Sequence, residues 1–151
     1  MFKKKLLEDY KDALRTRNHL KRGIVQVLRA AITFEEKYKK LEDEDIFLII
    51  KKEIKIRKDV LPYYEKNYDK FYSFTLQLEM DILNSYLPEK MTENQINRLI
   101  DETLKNLKLN DIKDMRKVII SVLNKSKGQA DIKMISDLVR KRLEKNNDVV
   151  N

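Results

Sequence analysis

Five bases fall in the stretch DMRKVIISVLNKSKGQADIK, residues 114–133: Arg116, Lys117, Lys125, Lys127 and Lys133. Ammonium and guanidinium groups at this density bind phosphate oxygens, through contacts that are salt-sensitive and indifferent to base sequence. Helical spacing sends Met115, Val118, Ile119, Val122 and Leu123 to one face, so Lys117 falls on the side away from it. Lys125 and Lys127 come at the end of that helix, and Lys133 opens the next. The five are the candidate nucleic-acid-binding residues of the chain. Between them stands Gly128, one of two glycines in 151 residues. A glycine just past a helix end takes positive φ and lets the last carbonyls find partners. Asp131 is placed to cap the following helix. Gly128 and Asp131 are therefore read as the two halves of a tight helix–helix turn. A helix N-terminus among lysines also attracts anions, but Asp131 already supplies negative charge there.

Other chemistry is poorly supported by the residues present. His19, in RNHLKRG, is the single histidine, and its place among bases near a helix junction suits capping or solvent exposure. No nucleophile–base–acid set can be assembled around it. No phosphate loop or dinucleotide fingerprint occurs. The absence of cysteine excludes disulfides and thiolate zinc sites, and one histidine excludes an all-histidine metal site. Carboxylates alone remain available to a hard cation, but the acids EDED at 42–45 suit the positive end of a helix. No catalytic residue, metal site or cofactor is expected. Six of the twelve aromatics, Tyr63, Tyr64, Tyr68, Phe71, Tyr72 and Phe74, lie close together. Such rings pack a junction between helices, or stack on unpaired bases.

Charge points the same way as the basic stretch. The formal net charge is +8. Residues 1–29 hold nine bases against three acids. Excess positive charge favours polyanions; a lysine-rich, solvated surface is the other reading. The opening MFKKKLLEDY has no apolar region of a secretory signal. The longest apolar run, IFLII at 46–50, is far short of the ~20 residues that span a bilayer. The expected location is the cytoplasm, or an organellar matrix if a transit peptide has been removed; no membrane partner is expected.

The elements that must position these residues are helices. Two Gly, two Pro and 38% charged residues favour long helices over sheet. Seven segments carry a helical period. They cover roughly 2–17, 19–40, 43 to the low sixties, 69–86, a fifth from Thr92, 112–126 and 132–145. Pro62 should end or kink the third. The fourth carries Phe71, Phe74, Leu78 and Ile82 on one side. Thr92 with Gln95 forms a capping box for the fifth, and Asp111 is the expected N-cap of the sixth. The break at Pro88 suggests two all-α parts: an N-terminal four-helix domain, 1–88, and a C-terminal three-helix tail, 89–151.

DMRKVIISVLNKSKGQAD, 114–131, resembles the signature D-M-G-K-V-M-G…K-G-[RK]-A-D of the GatB/YqeY family. YLPEKMTENQI, 86–96, is similar to its Y-L-P-x-x-[LM]-[ST]-E-x-[EQ]-[LI] linker. KEIKIRKD, 52–59, resembles K-x-[IL]-K-Q-R-x-D, and VLRAAI, 27–32, resembles [VL]-[LV]-R-x-[LV]-x-[AS]-[AI]. The four stand in the family's order and cover nearly the whole chain. The resemblance implies a four-helix part joined to a three-helix tail. It also implies kinship with the tail of the amidotransferase subunit that contacts tRNA while glutamine-dependent carbon–nitrogen ligation proceeds on other domains. The partner subunit's Ser–Ser–Lys amidase arrangement is absent. Arg116 and Ile120 stand where the family has glycine, and Gln129 where it has a base. Two readings follow. One is a YqeY-like accessory module of translation that binds tRNA or a tRNA-containing complex, associated with an amidotransferase and without chemistry of its own. The other is a helical protein-interaction adaptor with an incidentally basic surface.

Overall fold

The computed structural model describes the backbone of residues 1–150 and the side chains of residues 1–148. Every regular element among them is helical: α1 Phe2–Arg15, α2 His19–Glu35, α3 Asp43–Lys66, α4 Lys70–Ser85, α5 Glu93–Leu107, α6 Met115–Lys125 and α7 Ile132–Val150. A 3-10 turn, Ile112–Asp114, precedes α6. The protein is all-α. It divides into two compact units, Met1–Leu87 and the chain from Pro88 onwards.

In the first unit, α1 packs on α2 and α3 on α4, with α2 touching both α3 and α4. Leu6, Val25, Leu28, Ile50 and Leu83 are at most 1% exposed at its centre, each contributing roughly 1.5–3 kcal/mol by burial. Arg57 ties α3 to α4: its Nε donates to Glu79 at 2.7 Å and an Nη donates to Glu53 at 2.8 Å. Arg57 thereby satisfies two half-buried carboxylates, and it is the arginine of the KEIKIRKD stretch. At the other end Tyr86 donates its hydroxyl to Asp9 at 2.5 Å. Burial, reinforced by the Asp9 charge, pushes the Tyr86 phenol well above its usual range.

The acids at 42–45 do open α3. Asp43, Glu44 and Asp45 fill its first turn. The Glu42 amide donates to Asp45 at 3.0 Å, and Lys39 reaches the same carboxylate at 2.5 Å. Both hold the Asp45 carboxyl below its usual value, Lys39 foremost.

Three expectations are refined. Of the two outcomes expected at Pro62, an end or a kink, the first does not occur: α3 runs four residues further to Lys66. Pro62 is exposed near the helix end, so the one lost backbone bond falls on the solvent side. The stripe Phe71, Phe74, Leu78 and Ile82 is divided: the first three are 81%, 64% and 37% exposed, Ile82 is half-buried against the core, and the buried residues of α4 are Leu76, Met80 and Leu83. α4 carries two apolar stripes, and periodicity alone does not choose between them. Finally, α6 begins at Met115, and Asp111 caps the 3-10 turn, accepting from the Lys113 amide at 3.0 Å.

The second unit has its own core of Ile96, Ile100, Val118, Val122, Ile135 and Leu143, all fully buried. Thr92 and Gln95 cap α5 reciprocally, at 2.8 and 3.2 Å. Arg142 of α7 pairs with Asp101 of α5. No helix among the described residues is long and apolar enough to cross a membrane.

Candidate nucleic-acid interface

The basic stretch is built on α6, the turn after it and the first turn of α7. α6 turns Val118 and Val122 inward, half-burying Met115, Ile119 and Leu123 beside them. Ser126 ends the helix fully buried, its hydroxyl donating to the Leu123 carbonyl at 2.7 Å. Lys127 and Gly128 follow with φ of 47° and 79°. Two successive left-handed residues reverse the chain so that the Gln129 amide reaches the Ser126 carbonyl at 2.9 Å. The Gln129 carbonyl then accepts from the Met91 amide at 2.8 Å, and Ala130 plugs the core at 4% exposure. Asp131 accepts from the Lys133 amide at 3.3 Å, while its carbonyl accepts from Ile135. Its side chain is thus spent on the start of α7.

The five bases differ in what they do. Lys117, Lys127 and Lys133 are exposed and form no ion pair among the described residues. Lys125 bends back instead: its ammonium donates to the hydroxyl of Thr103, 3.3 Å away and fully buried in α5. Arg116 borders a shallow groove with Lys113, floored by Met115, Ile119, Ile120 and Ile132. The three bases on α6 are spread along it rather than gathered at one end. Arg116 and Lys117 occupy its first turn, and Lys125 its last position, about 12 Å further along the axis.

Sequence reasoning missed the Thr103–Lys125 contact, although a threonine three residues after Ile100 on a core stripe was a signal. It also missed the left-handed Lys127 and the groove. Ile120 and Arg116 each contribute one side chain to that groove, to its apolar floor and its cationic edge. Among the described residues no group of three His, Cys, Asp or Glu is placed to hold a metal. His19 is exposed at the first position of α2, where Asn18 is the cap, accepting from the Lys21 amide at 3.0 Å.

No curated protein matches the chain. A family model does: that of the YqeY-like protein matches residues 3–143, spanning both units, the Arg57 stretch of α3 and the α6–α7 turn. The chain therefore belongs to the family of YqeY-like proteins.

Proposed function

We propose that this chain is an RNA-binding accessory protein that contacts tRNA, or a complex containing it, without performing chemistry itself. The observation that carries the reading is that Arg116, Lys117, Lys127 and Lys133 are exposed and form no ion pair among the described residues, on a chain of net charge +8. Cations held at the surface by a rigid helix and turn release counterions when phosphates replace them. The association with glutamine-dependent amidotransfer rests on family resemblance, and it makes the tRNA of such a complex the first ligand to test.

Lys125 is partly occupied by Thr103, so the informative variant replaces Lys117, Lys127 and Lys133 with Gln. Fluorescence anisotropy with labelled tRNA across a salt series should show weaker binding. The slope of log affinity against log salt should flatten by about 2–3 units, near 0.9 per lost phosphate contact. The circular dichroism spectrum should not change. Unchanged binding would move the contact to residues 1–29, with their nine bases and three acids.

A second reading has its own observation. The groove between Arg116 and Lys113, with its apolar floor, has the character of a helix-docking surface. Absence of tRNA binding by the unaltered protein at low salt would favour that adaptor role.

A further inference from the structure

The α3–α4 hairpin has a second apolar face that the core does not use. Two contacts mark the seam between its helices: Arg57 with Glu79, and Tyr64 stacked on Tyr72 with ring centroids 4.4 Å apart. Pairing of 57 with 79 and of 64 with 72 makes the helices antiparallel. To one side of the seam, α3 sends Ile50 and Ile54 into the core and α4 sends Met80 and Leu83. At about 100° per residue, Ile56, Val60 and Tyr63 lie to the other side on α3, and Phe71, Phe74 and Leu78 to the other side on α4. The reversed direction of α4 brings its set round to the same surface of the hairpin. Tyr63, Phe71 and Phe74 are 65%, 81% and 64% exposed. From Lys55 to Thr75 no residue is fully buried; Leu61 packs half-buried against the core, on the opposite side from this face.

We propose that this face is a self-association surface, on which a second copy of the chain lays the same face of its own hairpin. Three observations favour a second copy over other occupants. The six side chains present on the order of 600–700 Å² of apolar surface, above the usual largest patch of a monomer and close to the ~800 Å² per partner of a standard interface. Their spacing, 56, 60, 63 and 71, 74, 78, alternates three and four residues, as interlocking helices require. The charges flanking the stripe carry both signs: Lys52, Lys55, Asp59 and Lys66 on α3, with Asp59 paired to Lys55 at 2.6 Å, and Lys70 and Asp81 on α4. An identical face turned about a two-fold axis can set acids against bases. A polyanion or an anionic bilayer favours bases alone. A two-fold arrangement also closes, with no apolar end left to recruit a third copy.

The inference does not depend on RNA binding. Sedimentation velocity of the whole chain from about 1 to 100 µM should show a concentration-dependent monomer–dimer equilibrium. The Phe71→Ser/Phe74→Ser variant should sediment as a monomer throughout that range. Its helical circular dichroism should be unchanged, because both rings are exposed. A wild-type chain that stays monomeric at the highest concentration overturns the proposal. So does a double variant that dimerises like the wild type. A monomeric wild type whose binding to tRNA or to phosphatidylglycerol vesicles is lost in the double variant assigns the face to that occupant and also overturns it.

Discussion

At the scale of single residues, left-handed backbone follows α1, α3, α5 and α6, at Arg17, Tyr68, Lys108 and Lys127, and after α6 a second left-handed residue comes next. Gly128 at φ 79° follows Lys127 at φ 47°. Gly128→Val should destabilise by roughly 1–2 kcal/mol and Gly128→Ala by less, as urea unfolding would measure. Lys127→Gly, which removes a Cβ from a left-handed position, should be neutral or slightly stabilising. A neutral Gly128→Val would mean that the turn relaxes elsewhere. The glycine could be read from sequence because the chain uses so few. Lys127 could not, because its left-handed φ accompanies not only the local Gln129–Ser126 bond but also the Met91–Gln129 tether, which joins residues thirty-eight apart in the chain. Tyr86 offers a pH test. Its folded phenol titrates above the unfolded value of about 10, since burial and Asp9 favour the protonated form. Its contribution is therefore complete below pH 10 and is lost as pH rises towards the folded value. Tyr86→Phe should reduce the loss of stability between about pH 10 and 11, as chemical denaturation at each pH would read it.

At the scale of elements, the seven helices were legible because apolar period and caps agree: Thr92 with Gln95 at α5, the acids of α3, the glycine after α6. What was not legible was which stripe of an element wins. α4 repeats apolar residues both at 71, 74, 78 and at 76, 80, 83, and only packing against α2 and α3 selects the second. The consequence is measurable. Leu83→Ala should cost about 2–5 kcal/mol of unfolding free energy, whereas Phe74→Ala should stay within about 0.5 kcal/mol in the monomer. Equal costs would mean that the outer stripe is covered within the chain itself. α3 makes a related point. Pro62 suggests an end or a kink, and α3 continues past it, because a proline on an exposed side near a helix end removes one solvent-facing bond. The candidate interface was legible as a list of bases and not as a surface. Periodicity placed Lys117 outward, but the buried Thr103 that captures Lys125 sits twenty-two residues away in sequence.

At the scale of the molecule, the two compact units each carry a core, joined across Pro88, Glu89 and Lys90. We propose that they fold as separate domains. Trypsin should then cut after the exposed Lys90 before it cuts within any helix core, and leave a folded C-terminal fragment. Cleavage there no faster than inside the helices would refute it. Positive charge is uneven over the same molecule: residues 1–29 carry nine bases to three acids, and the α6 turn carries further exposed lysines. We propose that these bases bind RNA through its phosphates. Titration of labelled tRNA with the unaltered full-length chain, from about 50 to 200 mM salt, tests it most directly. The prediction is saturable binding whose affinity falls linearly on a log–log plot, with a slope of about −3 or steeper. No binding at the lowest salt, or binding insensitive to salt, would contradict it.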